Sequence, residues 1–327
     1  MAPLPETFLG FRRADGLAGT RNHLLVVPSV VCANTVAQRV ASMIPGAVSI
    51  PHPHGCAQVG DDVILTEKVL AGAAANPNVG AALVIGLGCE TCQSGTVAGL
   101  ASALSPGKPI EAFSIQDAGG SIKAISRGVE EGKRLMSQIA RQQRETISIS
   151  ELVLACDRGH EDGVSGPSAD PVASIVTQMM LAAGGSVIMP EFLVHDGDTR
   201  TGDVLAFADR PVGKGRFVMR TPDLDAVSVS GMAAGGAQVC VFTTGKGAPL
   251  GNAVCPVIKV CGDAEANQKM ADNIDFSSTS LLEGSQSAEE LGERLFGMLL
   301  DVCGGQLTNA EMIGHQEFAI HRIGPTV

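Results

Sequence analysis

Histidines and cysteines in two short segments are the residues of this chain best suited to metal chemistry. The first segment holds His52, His54 and Cys56, and the second holds Cys89 and Cys92 in a Cys-x-x-Cys spacing. Imidazole and thiolate select iron, zinc or copper over magnesium or calcium. Two histidines separated by one proline are rarely a core motif, because a rigid proline suits a shaped loop. The sequence therefore predicts a transition-metal site.

Cysteine is also a common core residue, and most of the nine cysteines here stand in apolar surroundings. We expect five of them to be buried structural thiols, namely Cys32, Cys240, Cys255, Cys261 and Cys303. The role of Cys92 stays open, because a lone Cys-x-x-Cys spacing is a weak signal. An odd number of cysteines in a long chain does not indicate a disulfide scaffold, so we expect a reducing, cytoplasmic location.

Two further loops carry groups suited to proton transfer and to binding an acid. His160 and Glu161 suit an acid–base pair or a pair of metal ligands, with an ordinary solvated loop as the competing interpretation. The segment 242–247 offers hydroxyls, backbone amides and one cation, which together can cradle a carboxylate or a sulfonate. The chain has neither a P-loop nor a dinucleotide fingerprint, so we expect no nucleotide cofactor.

Short β-branched apolar runs alternate with longer segments of helical period through the first half of the chain. The apolar runs predict strands at 23–28, 47–51, 81–86 and 110–114. The segments after them predict helices at 33–43, 61–75, 95–104 and 121–143. This alternation is typical of a parallel sheet with crossover helices. The first half is therefore predicted to be a four-strand βα repeat.

The second half shows the same kind of alternation after a charged stretch that ends near residue 147. Its predicted strands lie at 151–156, 186–189, 216–219, 238–242 and 257–260. Its predicted helices lie at 170–183 and 288–300. The polar stretch 191–215 is interpreted as a loop or a strand-poor insertion. The predicted fold class is α/β, with two parallel-sheet domains at residues 1–147 and 148–327.

The order of motifs and strands predicts where a ligand binds. In open parallel sheets, ligands bind in the crevice beyond the carboxyl ends of the strands. Cys56 and Cys89 follow the second and third predicted strands, and the polar segment 156–163 follows the strand that opens the second half. We therefore expect the site at the strand carboxyl ends, between the two domains.

The overall charge argues against two classes of partner. The 327 residues include 34 acidic and 23 basic ones, which gives a net charge of −11. Such a charge repels phosphate backbones and anionic lipids, so we expect no nucleic-acid partner and no membrane. No apolar run reaches the roughly 18 residues that a membrane-spanning helix needs.

Six motifs occur in chain order. They are Asp15-Gly16 with Gly19-Thr20-Arg21-Asn22, His52 with Gly55-Cys56, Gly86 to Glu90 with Gln93, 162–166, 223–236, and Phe242 to Gly247. Together they resemble the altronate and galactarate dehydratase family, which includes the sulfolactate sulfo-lyases, and the resemblance covers most of the chain. It implies a metal-dependent lyase that eliminates water or sulfite from a small anionic hydroxy acid, such as a sugar acid.

The resemblance also implies roles for the site residues. The metal would be a divalent transition metal, most commonly iron as Fe²⁺ or an iron–sulfur cluster, with manganese or zinc as alternatives. Its ligands would be His52, Cys56 and Cys89. Proton transfer would involve His54, Glu90, His160 and Glu161. Substrate oxygens would contact Arg21, Asn22, Gln93, Arg158, Thr243, Thr244 and Lys246.

Departures from the family pattern keep other functions open. Arg158 replaces a family cysteine, although Cys156 lies two residues earlier on the same strand face and is a candidate substitute. The family's long middle segment has no counterpart in 191–215. The alternatives are a carbon–sulfur lyase, a hydrolase, or a non-catalytic metabolite-binding or subunit protein.

The resemblance begins near Phe8, without the small N-terminal domain that some relatives carry. Relatives without that domain pair with a separate small subunit. We therefore expect a small subunit as a candidate partner, and we also expect a homo-oligomer.

Overall fold

The computed structural model describes residues 6–159, 167–193 and 202–324. The strands are β1 (Thr7–Arg12), β2 (Ala18–Gly19), β3 (His23–Pro28), β4 (Ala47–Ser49), β5 (Val79–Gly86), β6 (Ile110–Ser114), β7 (Glu145–Ser148), β8 (Val153–Arg158), β9 (Ser186–Pro190), β10 (Asp203–Leu205), β11 (Arg216–Met219), β12 (Val239–Thr244), β13 (Val257–Cys261) and β14 (Phe276–Ser277). The α-helices are α1 (Asn34–Ser42), α2 (Asp61–Ala75), α3 (Ser94–Leu104), α4 (Ser121–Ile139), α5 (Ala169–Ala182), α6 (Asp225–Ala234), α7 (Ala264–Lys269), α8 (Thr279–Leu282), α9 (Ala288–Gly304) and α10 (Asn309–Ile313).

The first sheet consists of four parallel strands in the order β4-β3-β5-β6. A helix follows each strand, which confirms the predicted four-strand βα repeat. All eight residues of β5 are buried. Helices cover both faces of such a sheet, and its central strands are therefore apolar throughout rather than alternating.

The second sheet has seven parallel strands in the order β10-β11-β9-β8-β12-β13-β14. Together the two sheets confirm the α/β fold class. The sequence analysis misses the outer strands β10 and β14, which are three and two residues long. It also misses α6, which lies between β11 and β12. The stretch 191–215, interpreted as a loop or a strand-poor insertion, contains one short strand in its described part, β10, which pairs with β11.

A small antiparallel sheet links the beginning of the chain to its middle. Its order is β2-β1-β7, and Thr7 pairs with Ser148. The predicted domain boundary near residue 147 falls within β7. Neither β1 nor β7 is predicted from the sequence, because their pairing joins segments far apart in the chain.

The two parallel sheets pack against each other through α2 and α6. A Cβ at Gly72 would lie 2.5 Å from the Ala234 carbonyl oxygen, so the two helices are in backbone contact at their C-terminal ends. Just beyond α2, the Asn76 amide donates hydrogen bonds to the carbonyls of Ala233 and Ala237 at 2.7 and 2.8 Å. These buried bonds fix the position of the second sheet relative to the first. No helix within the described ranges is long and apolar enough to cross a membrane.

Candidate functional site

Three loops meet at the carboxyl ends of β3, β4 and β5, and Gly55 lies at their junction. Its carbonyl accepts hydrogen bonds from the Thr91 and Cys92 amides, both at 3.2 Å. On its other side, a Cβ at Gly55 would lie 2.2 Å from the Ser29 carbonyl oxygen and 2.7 Å from the Val30 Cα. The three loops therefore form one surface. We call it the thiol edge and define it by residues 29–33, 50–60 and 87–93.

Each loop of the thiol edge presents one exposed cysteine. These are Cys32, Cys56 and Cys89. Cys32 is predicted from the sequence to lie in the core, and its exposure shows that this prediction is wrong. Cys32 lies in a single 3-10 turn after β3, and that turn buries its neighbour Ala33 instead. The remaining six cysteines are buried, as expected for Cys240, Cys255, Cys261 and Cys303.

Cys92 does not share the exposure of Cys89. It is fully buried, and burial raises the pKa of its thiol to about 12, with smaller contributions from the carboxylates of Glu67 and Glu90. At neutral pH it is therefore a neutral thiol. The Cys-x-x-Cys spacing, whose meaning is open from the sequence, does not provide two exposed thiolates.

The buried His52 uses both of its ring nitrogens within the protein. Nε2 lies 2.7 Å from the Pro28 carbonyl oxygen, which can only accept, so Nε2 carries the proton. Nδ1 accepts a hydrogen bond from the His54 amide at 3.2 Å. Burial lowers the pKa of His52 to about 4. Because both ring nitrogens already make hydrogen bonds within the protein, neither is available to bind a metal. His52 therefore does not fit the predicted role of metal ligand.

His54 keeps one ring nitrogen available. Its Nε2 donates to the Ile320 carbonyl at 2.8 Å, which leaves Nδ1 as the unprotonated nitrogen. Burial lowers the pKa of His54, and the positive charge of Arg322 lowers it further, against the raising effects of the Ile320 hydrogen bond and the Asp62 carboxylate. His54 is therefore a neutral imidazole at neutral pH, as a general base must be.

Residues 318–324 reach the thiol edge from the far end of the chain. The Asp62 carboxylate accepts hydrogen bonds from the amides of Ile323 and Gly324 at 2.7 and 3.0 Å. The His321 ring stands edge-on to Phe207 with 4.5 Å between ring centroids. The positive charge of the adjoining Arg322 and the Asp62 carboxylate shift the pKa of His54 in opposite directions. Sequence analysis misses this group, because nothing in the local pattern of 318–324 indicates contact with residues 52–62.

Glu90 is buried, and both of its carboxylate oxygens bind the protein. Oε1 accepts from the Ser29 hydroxyl at 3.1 Å and from the Leu87 amide at 3.0 Å, and Oε2 accepts from the Gly88 amide. The exposed Gln93 in turn donates its side-chain amide to the Glu90 carbonyl. The geometry therefore gives Glu90 a role in shaping the loop between β5 and α3, next to Cys89.

The donor set of the thiol edge fits a soft metal group in part. Exposed thiols are the ligands that iron, zinc and copper prefer, and Cys56 and Cys89 provide two of them. Within the described residues, no three His, Cys, Asp or Glu side chains converge closely enough to hold a single ion. Cys56 and Cys89 thus fit the predicted metal, whereas His52 does not.

A second polar region lies at the carboxyl ends of β8 and β12. Asp170 of α5 joins two predicted site residues there, because its Oδ2 lies 3.1 Å from Arg158 Nη1 and its Oδ1 accepts from the Thr243 hydroxyl at 2.7 Å. These residues line a cavity of about 280 Å³ together with Arg216. Across the described chain, no hydrogen bond or ion pair connects this cavity to the thiol edge.

The segment 242–247, which is predicted to bind an acid, holds two further predicted contacts, Thr244 and Lys246. The Thr244 hydroxyl accepts hydrogen bonds from the amides of Lys246, Gly247 and Ala248, so it stabilises its own turn. Lys246 is exposed. The structure thus brings Thr243 to the cavity and directs the Thr244 hydroxyl back into the turn.

Sequence analysis assigns no role to Asp157, which is almost fully buried at the end of β8. Burial raises the pKa of its carboxyl group to about 7, and a hydrogen bond from Ser228 of α6 partly opposes this shift. Its Oδ2 has no hydrogen-bond partner among the described residues. On the other face of the strand, burial raises the pKa of Cys156 to about 11. Cys156, the candidate substitute for the family cysteine, is therefore a neutral thiol.

Arg21 and Asn22 lie at the wrong end of the first sheet for the role predicted for them. They precede β3, whereas ligands gather beyond the strands' carboxyl ends. Arg21 forms a buried ion pair with Glu311 at 2.7 Å. Asn22 accepts from Arg13 at 2.8 Å and donates to the Ile139 carbonyl at 2.9 Å. The expectation that they contact substrate oxygens is corrected, because protein groups occupy these side chains.

The structure therefore separates the predicted site residues into groups. Those at the thiol edge are His52, His54, Cys56, Cys89, Glu90 and Gln93. Arg158 and Thr243 line the cavity at the carboxyl ends of β8 and β12. The predicted proton-transfer residues His160 and Glu161 lie outside the described residues.

Comparison with protein families matches two segments that together cover most of the chain. Residues 10–140 match the second domain of D-galactarate dehydratase/altronate hydrolase, and residues 193–326 match the C-terminal domain of D-galactarate/altronate dehydratase. Dehydratases are lyases, so these matches define the class of enzyme to which the chain belongs. The chain belongs to the galactarate and altronate dehydratase family, which confirms the resemblance.

Three relatives span nearly the whole chain. The (2R)-sulfolactate sulfo-lyase subunit beta of Chromohalobacter salexigens is 28% identical, over 97% of this chain and 98% of that protein. The altronate dehydratase of Bacillus subtilis is 28% identical, over 98% of this chain and 79% of that protein. The galactarate dehydratase (L-threo-forming) of Escherichia coli is 25% identical, over 99% of this chain and 79% of that protein.

Proposed function

We propose that this protein is a hydro-lyase that eliminates water from a small hydroxy acid of the sugar-acid class at the thiol edge. Family membership is the observation that carries this proposal, because relatives that span nearly the whole chain are named altronate and galactarate dehydratase. The thiol edge is chosen because it combines exposed thiols and a neutral histidine at strand carboxyl ends, and because the positive charge of Arg322, from residues 318–324, acts on that histidine.

We further propose that Cys56 and Cys89 hold a divalent transition metal there, with iron as the first candidate and manganese or zinc as alternatives. The chemical fit of two exposed thiols supports this assignment. When bound, such a metal would polarise the departing hydroxyl group as a Lewis acid.

In the proposed mechanism His54 is the base. Its Nε2 proton is held by the Ile320 carbonyl, so the lone pair on Nδ1 is available to take the proton from the carbon next to the substrate carboxylate. The released electron pair forms a carbon–carbon double bond, and the hydroxyl group on the next carbon leaves as hydroxide. The hydroxide takes a proton from solvent to become water, and His54 returns its proton to solvent. The enol then tautomerises to a 2-oxo acid.

Arg322 is the proposed contact for the substrate carboxylate. Its charge acts on His54, so an anion beside it would lie close to the base. We expect Arg322→Gln to raise KM for the acid with a smaller effect on kcat.

The test is turnover of altronate and galactarate by protein reconstituted with ferrous iron without oxygen, followed by the formation of a 2-oxo acid. We expect His54→Gln to lower kcat by at least about 100-fold, which is the usual scale for loss of a general base. The control is His315→Gln, since His315 pairs with Glu317 away from the thiol edge. Absence of any 2-oxo acid from a panel of sugar acids would refute the hydro-lyase proposal.

One observation favours a second candidate, a carbon–sulfur lyase. The sulfolactate sulfo-lyase subunit beta is matched over 98% of its length. The same proton abstraction would then expel sulfite rather than water. Release of sulfite from sulfolactate, without turnover of sugar acids, would select this candidate. Because that relative is named as a subunit, we also propose that this chain works with a separate small subunit.

A further inference from the structure

We propose that Asp62 is a positioning residue for the elimination. Its carboxylate binds the segment 318–324 and thereby holds two groups of that segment in place, the Ile320 carbonyl that orients His54 and the side chain of Arg322. This inference rests on the proposed function, in which His54 is the base and Arg322 contacts the substrate carboxylate.

Two anchors hold the segment 318–324, one on each side of Ile320. Before Ile320, the Ala319 amide donates to the Ser230 hydroxyl of α6 at 3.1 Å. Beyond Ile320, two successive backbone amides donate to the Asp62 carboxylate of α2 at 2.7 and 3.0 Å. Ile320 itself is almost fully buried. The segment therefore crosses from α6 to α2, and the position of the Ile320 carbonyl depends on both anchors.

The Asp62 side chain is well placed for this role. It is buried in the first turn of α2, and each of its two carboxylate oxygens accepts one of the hydrogen bonds from the segment. The hydrogen bond from the Ile323 amide lowers the pKa of Asp62, so the group is a charged carboxylate at neutral pH. Hydrogen bonds to a charged acceptor are about twice as strong as those between neutral groups. The neighbouring Asp61 lies in the same turn but is exposed.

The anchored segment positions two groups of the proposed mechanism at once. The Ile320 carbonyl accepts from His54 Nε2 at 2.8 Å, which fixes the orientation of the imidazole ring. Arg322 lies in the chain between Ile320 and the amides that bind Asp62, and its charge acts on both His54 and Asp62. Loss of the Asp62 anchor would therefore displace the group that orients the base together with the contact for the substrate.

The experiment compares Asp62→Ala and Asp62→Asn with the control Asp61→Ala, which removes an exposed carboxylate from the same helical turn. In Asp62→Asn the side-chain nitrogen cannot accept, so one of the two hydrogen bonds is kept. NMR of protein carrying isotope-labelled histidine detects ring protons that hydrogen bonds protect from exchange with water, and His54→Gln assigns the His54 signal. We expect Asp62→Ala to lose the His54 Nε2 proton signal and Asp62→Asn to weaken it.

His52 provides an internal control in the same spectra. Its Nε2 donates to the Pro28 carbonyl at 2.7 Å, so its signal should persist in every folded variant. An unchanged His54 signal in Asp62→Ala would overturn the inference. If Asp62→Ala loses both histidine signals because it does not fold, Asp62→Asn decides: a weakened His54 signal beside a full His52 signal supports the inference, and an unchanged His54 signal overturns it.

Kinetics and hydrogen exchange test the consequence for turnover. We expect Asp62→Ala to lower kcat by about 10-fold to 100-fold and to raise KM, because displacement by about 1 Å is costly to catalysis. Amide exchange in 318–324 should be faster than in the wild type, and Asp61→Ala should match the wild type in each measurement. If the wild type turns over no hydroxy acid while the His54 signal still depends on Asp62, the proposed function fails and the anchoring of His54 through Asp62 stands.

Discussion

At the scale of single residues, burial decides what each titratable group can do, and sequence alone does not give burial. Cys32 and Cys303 both stand among apolar residues in the sequence, yet one is exposed and the other is buried. The difference depends on where a 3-10 turn leaves the sheet, which no local pattern specifies. Cys56 and Cys89 could be selected from the sequence because a glycine and a strand end mark them both.

Asp157 gives a pH-dependent prediction at this scale. Its pKa is raised from 3.8 to about 7 in the folded protein, so the folded state binds this proton more tightly than the unfolded state. The protonated carboxyl therefore favours folding at low pH, and this contribution is lost as pH rises from about 4 to about 7. Relative to Asp157→Asn, the wild type should lose on the order of 4 kcal/mol of unfolding free energy over that range, at about 1.4 kcal/mol per pKa unit.

Urea denaturation at several pH values measures this difference, and Asp272→Asn at an exposed position serves as the matched control. A difference between wild type and Asp157→Asn that stays constant from pH 4 to pH 8 would contradict the raised pKa.

At the scale of elements, the regular parts of the fold were accessible from the sequence and the irregular parts were not. The strands of the first sheet agree with their predicted bounds to within two residues, because β-branched apolar runs are a local signal. The small antiparallel sheet was missed, since β1 finds its partner β7 more than a hundred residues away. The junction of the three loops at Gly55 likewise depends on contacts between strands.

Gly55→Ala tests that junction. A Cβ there would lie 2.2 Å from a backbone oxygen, at a φ of +96°. We expect a loss of roughly 1–3 kcal/mol of stability, because the clash adds to the conformational strain. Gly16→Ala is the matched control, since its φ is +87° but nothing lies within 4 Å of the added Cβ.

The measurement is the free energy of unfolding by urea, together with the alkylation rates of the exposed thiols. We expect altered thiol reactivity in Gly55→Ala and not in Gly16→Ala. Equal losses of stability in the two variants would mean that the backbone conformation matters and the close contact does not.

At the scale of the whole molecule, long-range polar contacts join segments that no sequence pattern relates. The Arg21–Glu311 ion pair is the clearest case: both side chains are largely buried, and Arg21 also donates to the carbonyls of Val302 and Gln306 at 2.7 and 2.8 Å. The motif that contains Arg21 could be recognised from the sequence, but its partner lies 290 residues away. Its structural role therefore became evident only from the fold.

Breaking this pair should destabilise the protein strongly. Arg21→Met leaves Glu311 buried without its countercharge, which typically costs about 3–5 kcal/mol. The double variant Arg21→Met/Glu311→Gln should recover part of this loss, because no unpaired charge remains. Urea denaturation of both variants measures the effect, and equal stability of the single and double variants would show that the ion pair is not the cause.

The hydrogen bond from His54 to the Ile320 carbonyl also has a consequence for the order of biosynthesis. Its two partners are separated by 266 positions in the chain, so the ribosome makes the histidine long before the group that orients it. N-terminal domains generally fold while synthesis continues. If the first sheet forms while synthesis continues, His54 is oriented only after the Ile320 carbonyl has been added and has reached it.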